Sequence, residues 1–187
     1  EGDFHAGLNM AAVHKAPVLF FCRNNGYAIS TPANEQFKGD GIACRGVGYG
    51  MKAIRVDGAD ILAVYQATLM ARDYALANNE PVLLESIAYR LGAHSSSDDP
   101  SGYRSKEEEE LWRKNDPIAR FRLWLLNKGW LDDAADKAQI EGLRQEILDA
   151  LKVAEKIAKP GIEHLISDVY AEPIPELERQ LSELKEH

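Results

Sequence analysis

Three apolar segments, "PVLFFC" (residues 17–22), "MKAIRV" (51–56) and "VLLESIAYR" (82–90), alternate with helical patterns, and that alternation predicts an α/β fold. Strands joined through helices connect by right-handed crossovers, which yields a mainly parallel sheet with helices on both faces. After Arg90 the composition shifts to a polar loop and then to helical patterns, adding a helical C-terminal region. The chain reads as one domain over residues 1–187, with an α/β part at 1–104 and a helical part at 105–187. No internal repeat or convincing linker divides it.

Each element has a local reason. The small, Ala-rich stretch "HAGLNMAAVHK" (5–15) predicts a short helix leading into the first strand. A Gly-rich connection spans Pro32 to Gly50. Asp57, Gly58 and Asp60 supply turn and cap chemistry after the second strand, and Ile61, Tyr65, Leu69, Arg72 and Leu76 fall on one face of a long helix. The stretch "LGAHSSSDDPSGYRS" (91–105) is a polar loop without period, and loops of that length in compact domains are usually functional or mobile. Ser105 with Glu108 forms a capping box, and Asp116-Pro117 pairs a cap with proline at the first helical position. Ile140, Leu143, Ile147, Leu151 and Ala154 draw an amphipathic stripe that ends by Lys159-Pro160-Gly161, and Glu176 to Glu186 reads as a last, charged helix.

Composition narrows the function. Thirty acidic against 22 basic residues give a net charge of −8, which argues against non-specific nucleic-acid binding and against an anionic membrane surface. No apolar run approaches the length of a membrane span. Cys22 and Cys44 have neither metal-ligand spacing nor the density of a disulfide scaffold, so a reducing compartment fits. His5, His14, His164 and His187 form no cluster in the sequence. The start "EGDFHAG" has no methionine and is no leader peptide, and it reads as the interior of a longer chain. The "GVGYG" glycines precede a strand instead of following one, so the dinucleotide fingerprint is not met.

The chemistry concentrates where the first strand ends, in "FCRNNGYAIS" (21–30). An ordinary turn accounts for Asn24, Asn25 and Gly26 taken alone. It does not account for Arg23, whose guanidinium beside amide oxygens at the carboxyl end of a strand suits a phosphorylated ligand. With "EGDFHAGLNMAAV" before it, this segment resembles the second half of the thiamine diphosphate motif, which runs from Gly-Asp/Glu-Gly across a helix and strand to Asn-Asn. "FKGDGIACRGVGYG", "IRVDGADILAVY", "YRLGAHSSSDDPSGYRS" and "DPIARF" extend the resemblance to the alpha subunits of the branched-chain 2-oxo acid dehydrogenase family, over nearly the whole chain but thinning after Trp130.

That resemblance implies a thiamine diphosphate-binding fold and the cofactors thiamine diphosphate and Mg²⁺. It implies that Asn25 binds Mg²⁺ through its side-chain oxygen, Tyr27 binds it through its main-chain carbonyl, and Arg23 holds the diphosphate. His94 matches a loop histidine that reaches the cofactor and assists proton transfer, and Ser95 and Ser105 match loop serines phosphorylated by a dedicated kinase in mitochondrial members. The acidic metal ligand, within Gly-Asp/Glu-Gly, should stand upstream of Glu1. Phe4 occupies the place of the second glycine after Glu1-Gly2-Asp3, and Gly39-Asp40-Gly41 is followed by Asn78-Asn79 too late and on a helix. The 187 residues alone are therefore expected to bind Mg²⁺ and cofactor weakly or not at all.

The implied activity is oxidative decarboxylation of branched-chain 2-oxo acids with acyl transfer to lipoyl groups. The implied partners are a beta subunit, in a heterotetramer, and a lipoyl transacylase core, with neither nucleic acid nor membrane. The location is the cytoplasm for a bacterial chain and the mitochondrial matrix otherwise. Two alternatives stay open: a pyruvate or acetoin dehydrogenase alpha subunit, and a non-catalytic assembly module that only pairs with another subunit.

Overall fold

A computed structural model describes residues 2–186, so Glu1 and His187, both named above, lie outside the described residues. Its centre is a three-stranded parallel sheet of β1 (Leu19–Asn24), β4 (Lys52–Asp57) and β5 (Val82–Ile87), in the order β1-β5-β4. The expected α/β class and parallel pairing are therefore found. β5 lies in the middle, and Val82, Leu83, Leu84 and Glu85 are fully buried. Because successive strand residues point to opposite faces, Val82 and Leu84 pack with helix α4 (Ile61–Asn78), while Leu83 packs with Met51 and with Leu8 of helix α1 (Gly2–Val13). Both faces carry a helix.

The structure refines one boundary and one helix face. β1 runs two residues beyond the apolar segment, so Arg23 and Asn24 belong to the strand and stand opposite Ser86 and Ile87 of β5. Ladder pairing with a buried neighbour overrides the turn preference of asparagine. On α4, the buried residues are Ala67, Ala71 and Ala75, whereas Ile61, Tyr65 and Leu76 of the expected face are exposed. Small side chains let the helix approach the sheet closely, and the larger ones turn outward.

The Gly-rich connection is more structured than its composition suggests. It begins with a hairpin of β2 (Tyr27–Ala28) and β3 (Thr31–Pro32), then holds two short helices, α2 (Ala33–Gln36) and α3 (Ala43–Gly48). Gly58, just past β4, donates its N–H to the Ile87 carbonyl at 2.8 Å, and a Cβ there would collide with that carbonyl oxygen and with Ser86 Oγ. Only glycine permits this approach at the carboxyl end of the sheet.

The chain forms two compact units, one through Leu131 and one from Asp132 onward. The first also contains α5 (Lys106–Arg113) and α6 (Pro117–Asn127), and their caps are the expected ones: Ser105 Oγ accepts from Glu108 N at 3.1 Å, and Asp116 Oδ1 accepts from Ala119 N at 2.8 Å. Arg120 of α6 reaches Asp57 at 3.1 Å and Asp60 at 3.7 Å, tying this helix to the end of β4. The second unit holds α7 (Asp133–Ala154), α8 (His164–Ser167) and α9 (Pro175–Lys185). In α7 the expected stripe is present, with Ile140, Leu143, Ile147 and Leu151 all exposed. Among the described residues no helix is long and apolar enough to cross a membrane.

Candidate functional site

The site is built on the carboxyl end of β1, where Asn24 is the last paired residue. Two consecutive asparagine side chains fold back on the chain that follows: Asn24 Oδ1 accepts from Gly26 N at 3.0 Å, and Asn25 Oδ1 accepts from Tyr27 N at 3.1 Å. Gly26 takes a left-handed φ of 78°, the conformation this turn requires. Its carbonyl accepts from Ala33 N at 2.7 Å, which closes the base of the hairpin.

Tyr27 stands opposite Pro32, which has no N–H, so its carbonyl receives no ladder hydrogen bond from its register partner. Asn25 Oδ1 keeps a second lone pair beyond its bond to Tyr27 N. An amide oxygen and a carbonyl oxygen on one turn form a hard donor set, which suits Mg²⁺ better than a softer metal. Among the described residues there is no group of three or more His, Cys, Asp or Glu that could hold a metal ion.

The Tyr27 ring is held from the other side. Its hydroxyl donates to Glu108 at 3.0 and 3.1 Å, and its ring meets Tyr89 edge-on at 6.3 Å. Burial and the Glu108 carboxylate push the hydroxyl up to about 12, so it remains a proton donor at any working pH. Tyr89 stacks on Trp112 at 5.2 Å with planes 4° apart, and its own buried hydroxyl has no hydrogen-bond partner among the described residues.

Asn25, Tyr27 and His94 line one cleft of about 310 Å³, together with Arg90 and Tyr103. The loop that carries His94 is fixed by its backbone. His94 N donates to Asp98 Oδ2 at 2.8 Å, Arg90 donates to the His94 carbonyl at 3.0 Å, and Tyr103 OH donates to Asp98 at 2.6 Å. Below it Arg104, only 8% exposed, donates to the carbonyls of Arg90 and Gly92 and pairs with Glu109 at 3.4 Å. The Tyr103 and His94 N–H bonds hold the Asp98 carboxyl below its usual range.

Arg23 faces a neighbouring cleft of about 400 Å³. Tyr89 and Trp112 line that cleft and also a third, of about 360 Å³, which in turn shares Asn25 and Tyr27 with the His94 cleft, so the three adjoin through shared residues. Arg23 is exposed and has no carboxylate partner among the described residues, leaving its guanidinium available to an anion. Ser95 is exposed, and its hydroxyl lies 3.2 Å from that of Ser97; the Ser105 hydroxyl is engaged as the cap of α5.

A sequence model of the dehydrogenase E1 component matches residues 1–163. The chain belongs to that family. It is 53% identical over its full length to the mouse protein named "2-oxoisovalerate dehydrogenase subunit alpha, mitochondrial", and 52% identical to the human and Dictyostelium discoideum proteins of the same name. The chain spans 42 to 43% of the length of these relatives.

For this E1-component chain, motif reading pointed to the residues that face the clefts and missed those that hold them. Asn24, Glu85, Arg104 and Glu108 went unnoticed as site residues. Glu85 left a signal, a lone carboxylate inside the apolar run "VLLESI", because a charge is rarely buried without partners. Arg104 and Glu108 left none, since their partners are distant in sequence or sit inside a loop without period.

Proposed function

We propose that this chain is part of an alpha subunit that, with a beta subunit, carries out oxidative decarboxylation of branched-chain 2-oxo acids and passes the acyl group to lipoyl groups of a transacylase core. The observation that carries the proposal is the single cleft lined by Asn25, Tyr27 and His94, beside the carboxyl end of a parallel strand. The names of the relatives support the branched-chain reading over a pyruvate or acetoin dehydrogenase, and they support the mitochondrial matrix over a bacterial cytoplasm.

Thiamine diphosphate, when bound, supplies the electron sink for loss of carbon dioxide. The roles of this chain are to bind, orient and handle protons. Asn25 Oδ1 and the Tyr27 carbonyl would hold Mg²⁺, joined by an acidic ligand from a Gly-Asp/Glu-Gly segment upstream of Glu1. Arg23, with no carboxylate partner among the described residues, would hold the diphosphate. His94 is anchored by its own N–H and carbonyl, which leaves its imidazole to hold and move a proton at the cleft. Ser95 and Ser105 are the proposed phosphorylation sites. A phosphate on exposed Ser95 would add about −1.5 to −2 charges beside a site built for a diphosphate and oppose its occupation, whereas Ser105 already has a structural task.

The test is made on the complete alpha–beta assembly. Decarboxylation should be faster with 2-oxoisovalerate than with pyruvate, and equal or reversed rates would defeat the branched-chain assignment. His94→Ala should suppress acylation of lipoamide by about 100-fold or more. Unchanged turnover would remove His94 from the mechanism.

A second reading, a module whose task is assembly, is favoured by the exposed apolar stripe Ile140, Leu143, Ile147 and Leu151 on α7. The two readings are compatible if the stripe covers part of a subunit interface.

A further inference from the structure

Glu85 is a carboxylate in the centre of the sheet with no solvent exposure. Such a charge costs several kcal/mol unless it is fully bonded, and here each oxygen has two donors. Oε1 accepts from Asn24 Nδ2 at 2.8 Å and Ile42 N at 3.0 Å; Oε2 accepts from Ala43 N at 2.8 Å and Arg55 Nε at 3.0 Å. Three of these donors belong to the segment from Ile42 to Arg55. The fourth, Asn24, lies on β1 directly before the turn that carries Asn25 and Tyr27.

An ionised carboxylate only accepts hydrogen bonds, so it dictates which end of the Asn24 amide faces it. With the NH₂ group committed to Glu85, the amide oxygen must point the other way, to the Gly26 N–H at 3.0 Å. Past Asn24 the parallel ladder stops, and the turn is tied back to β1 through this side chain and the Asn25 bond to Tyr27 N.

We propose that Glu85 acts through Asn24 as a positioning residue for the oxygen pair of Asn25 and Tyr27, a relay that rests on the metal reading given above. Neither Glu85 nor Asn24 would touch the ion. Their contribution is to hold the turn in the geometry that presents both oxygens before the ion arrives, as outer residues around metal ligands do.

The relay is tested in the complete alpha–beta assembly made with the full-length chain. In the metal-free assembly, Asn24→Ala should speed amide hydrogen exchange about tenfold or more in the peptide carrying Gly26 and Tyr27, while β5 stays protected. Calorimetry should then find Mg²⁺ affinity, measured with thiamine diphosphate present, weakened about 10-fold. The KM for Mg²⁺ should rise while kcat at saturating Mg²⁺ stays within about twofold, as expected for lost pre-organisation. Glu85→Gln should give the same signature, because a glutamine turns an NH₂ toward two of the four donors; if it fails to fold, Asn24→Ala still decides.

Unchanged exchange at Gly26 and Tyr27, or exchange raised equally across β5, would overturn the relay. Asn25→Ala separates this from the metal reading. Unchanged Mg²⁺ affinity in that variant would sink the reading itself, and the exchange data would still decide whether Glu85 orders the turn.

Discussion

Tyr27 joins two roles in one residue, the main-chain oxygen proposed to hold Mg²⁺ and a hydroxyl bonded to Glu108. Tyr27→Phe separates them. Losing a hydrogen bond to a charged acceptor should lower stability by about 1.5 to 3 kcal/mol, read as a drop in thermal midpoint, while Mg²⁺ affinity changes little. A large loss of metal binding would mean that the hydroxyl's bond to Glu108, and not the carbonyl alone, sets the site. Glu85 makes a second prediction through pH. Burial raises its pKa, but the bonds from Ala43, Asn24, Ile42 and Arg55 outweigh burial and leave it below the ordinary 4.5. A depressed folded-state pKa contributes stability that is complete above about 4.5 and is lost as pH falls through the folded value. Denaturant titrations should find Glu85→Gln less stable at pH 7 by on the order of 3 kcal/mol, with a shallower decline below pH 4.5 than the parent. Parallel declines would remove Glu85 from the acid transition. Arg23, Asn25 and Tyr27 were legible as candidates because one contiguous stretch carries them, and His94 because a distinct polar loop does. Glu85 was legible only as an oddity, since its partners come from β1, from β4 and from the start of α3, which meet only in the fold.

At the scale of elements, α4 is the instructive case. Spacing alone put Ile61, Tyr65, Leu69, Arg72 and Leu76 on one face, yet the sheet is met by Ala67, Ala71 and Ala75 at i, i+4, i+8. Periodicity identifies faces but does not say which one a particular sheet accepts, and a close approach selects small residues over large ones. Ala71 is fully buried, so Ala71→Leu should overpack the interface with Val82 and Leu84 and cost about 1 to 3 kcal/mol in equilibrium unfolding. A neutral effect would mean that α4 has room to move. The cap of α5 contrasts with this, because it spans only three residues. Ser105 and Glu108 were readable as a cap for that reason, but the Glu108 carboxylate does not close the box on Ser105; it takes the Tyr27 hydroxyl 81 residues away.

Over the whole molecule, the apolar surface is unevenly covered. Beyond the α7 stripe, Tyr65 and Met70 of α4 and Met10 and Val13 of α1 are more than half exposed. An acidic chain with such patches should associate with a complementary subunit. Sizing chromatography of the chain with and without a beta subunit should find a stable heteromeric species only in the mixture, and co-elution should survive 0.5 M salt if apolar contacts dominate. Independent elution would remove the assembly reading and leave the exposed stripe without a partner. The sequence by itself determined the α/β class, the parallel sheet, the helix caps and the family, because these rest on local periodicity, short-range capping chemistry and contiguous motifs. Only the tertiary structure decided that Arg23 faces a separate cleft, that alanines form the buried face of α4, and that the buried Glu85 carboxylate bonds the Asn24 amide at the start of the turn. Those features depend on which strands become neighbours, and register brings together residues that the linear chain keeps dozens of positions apart.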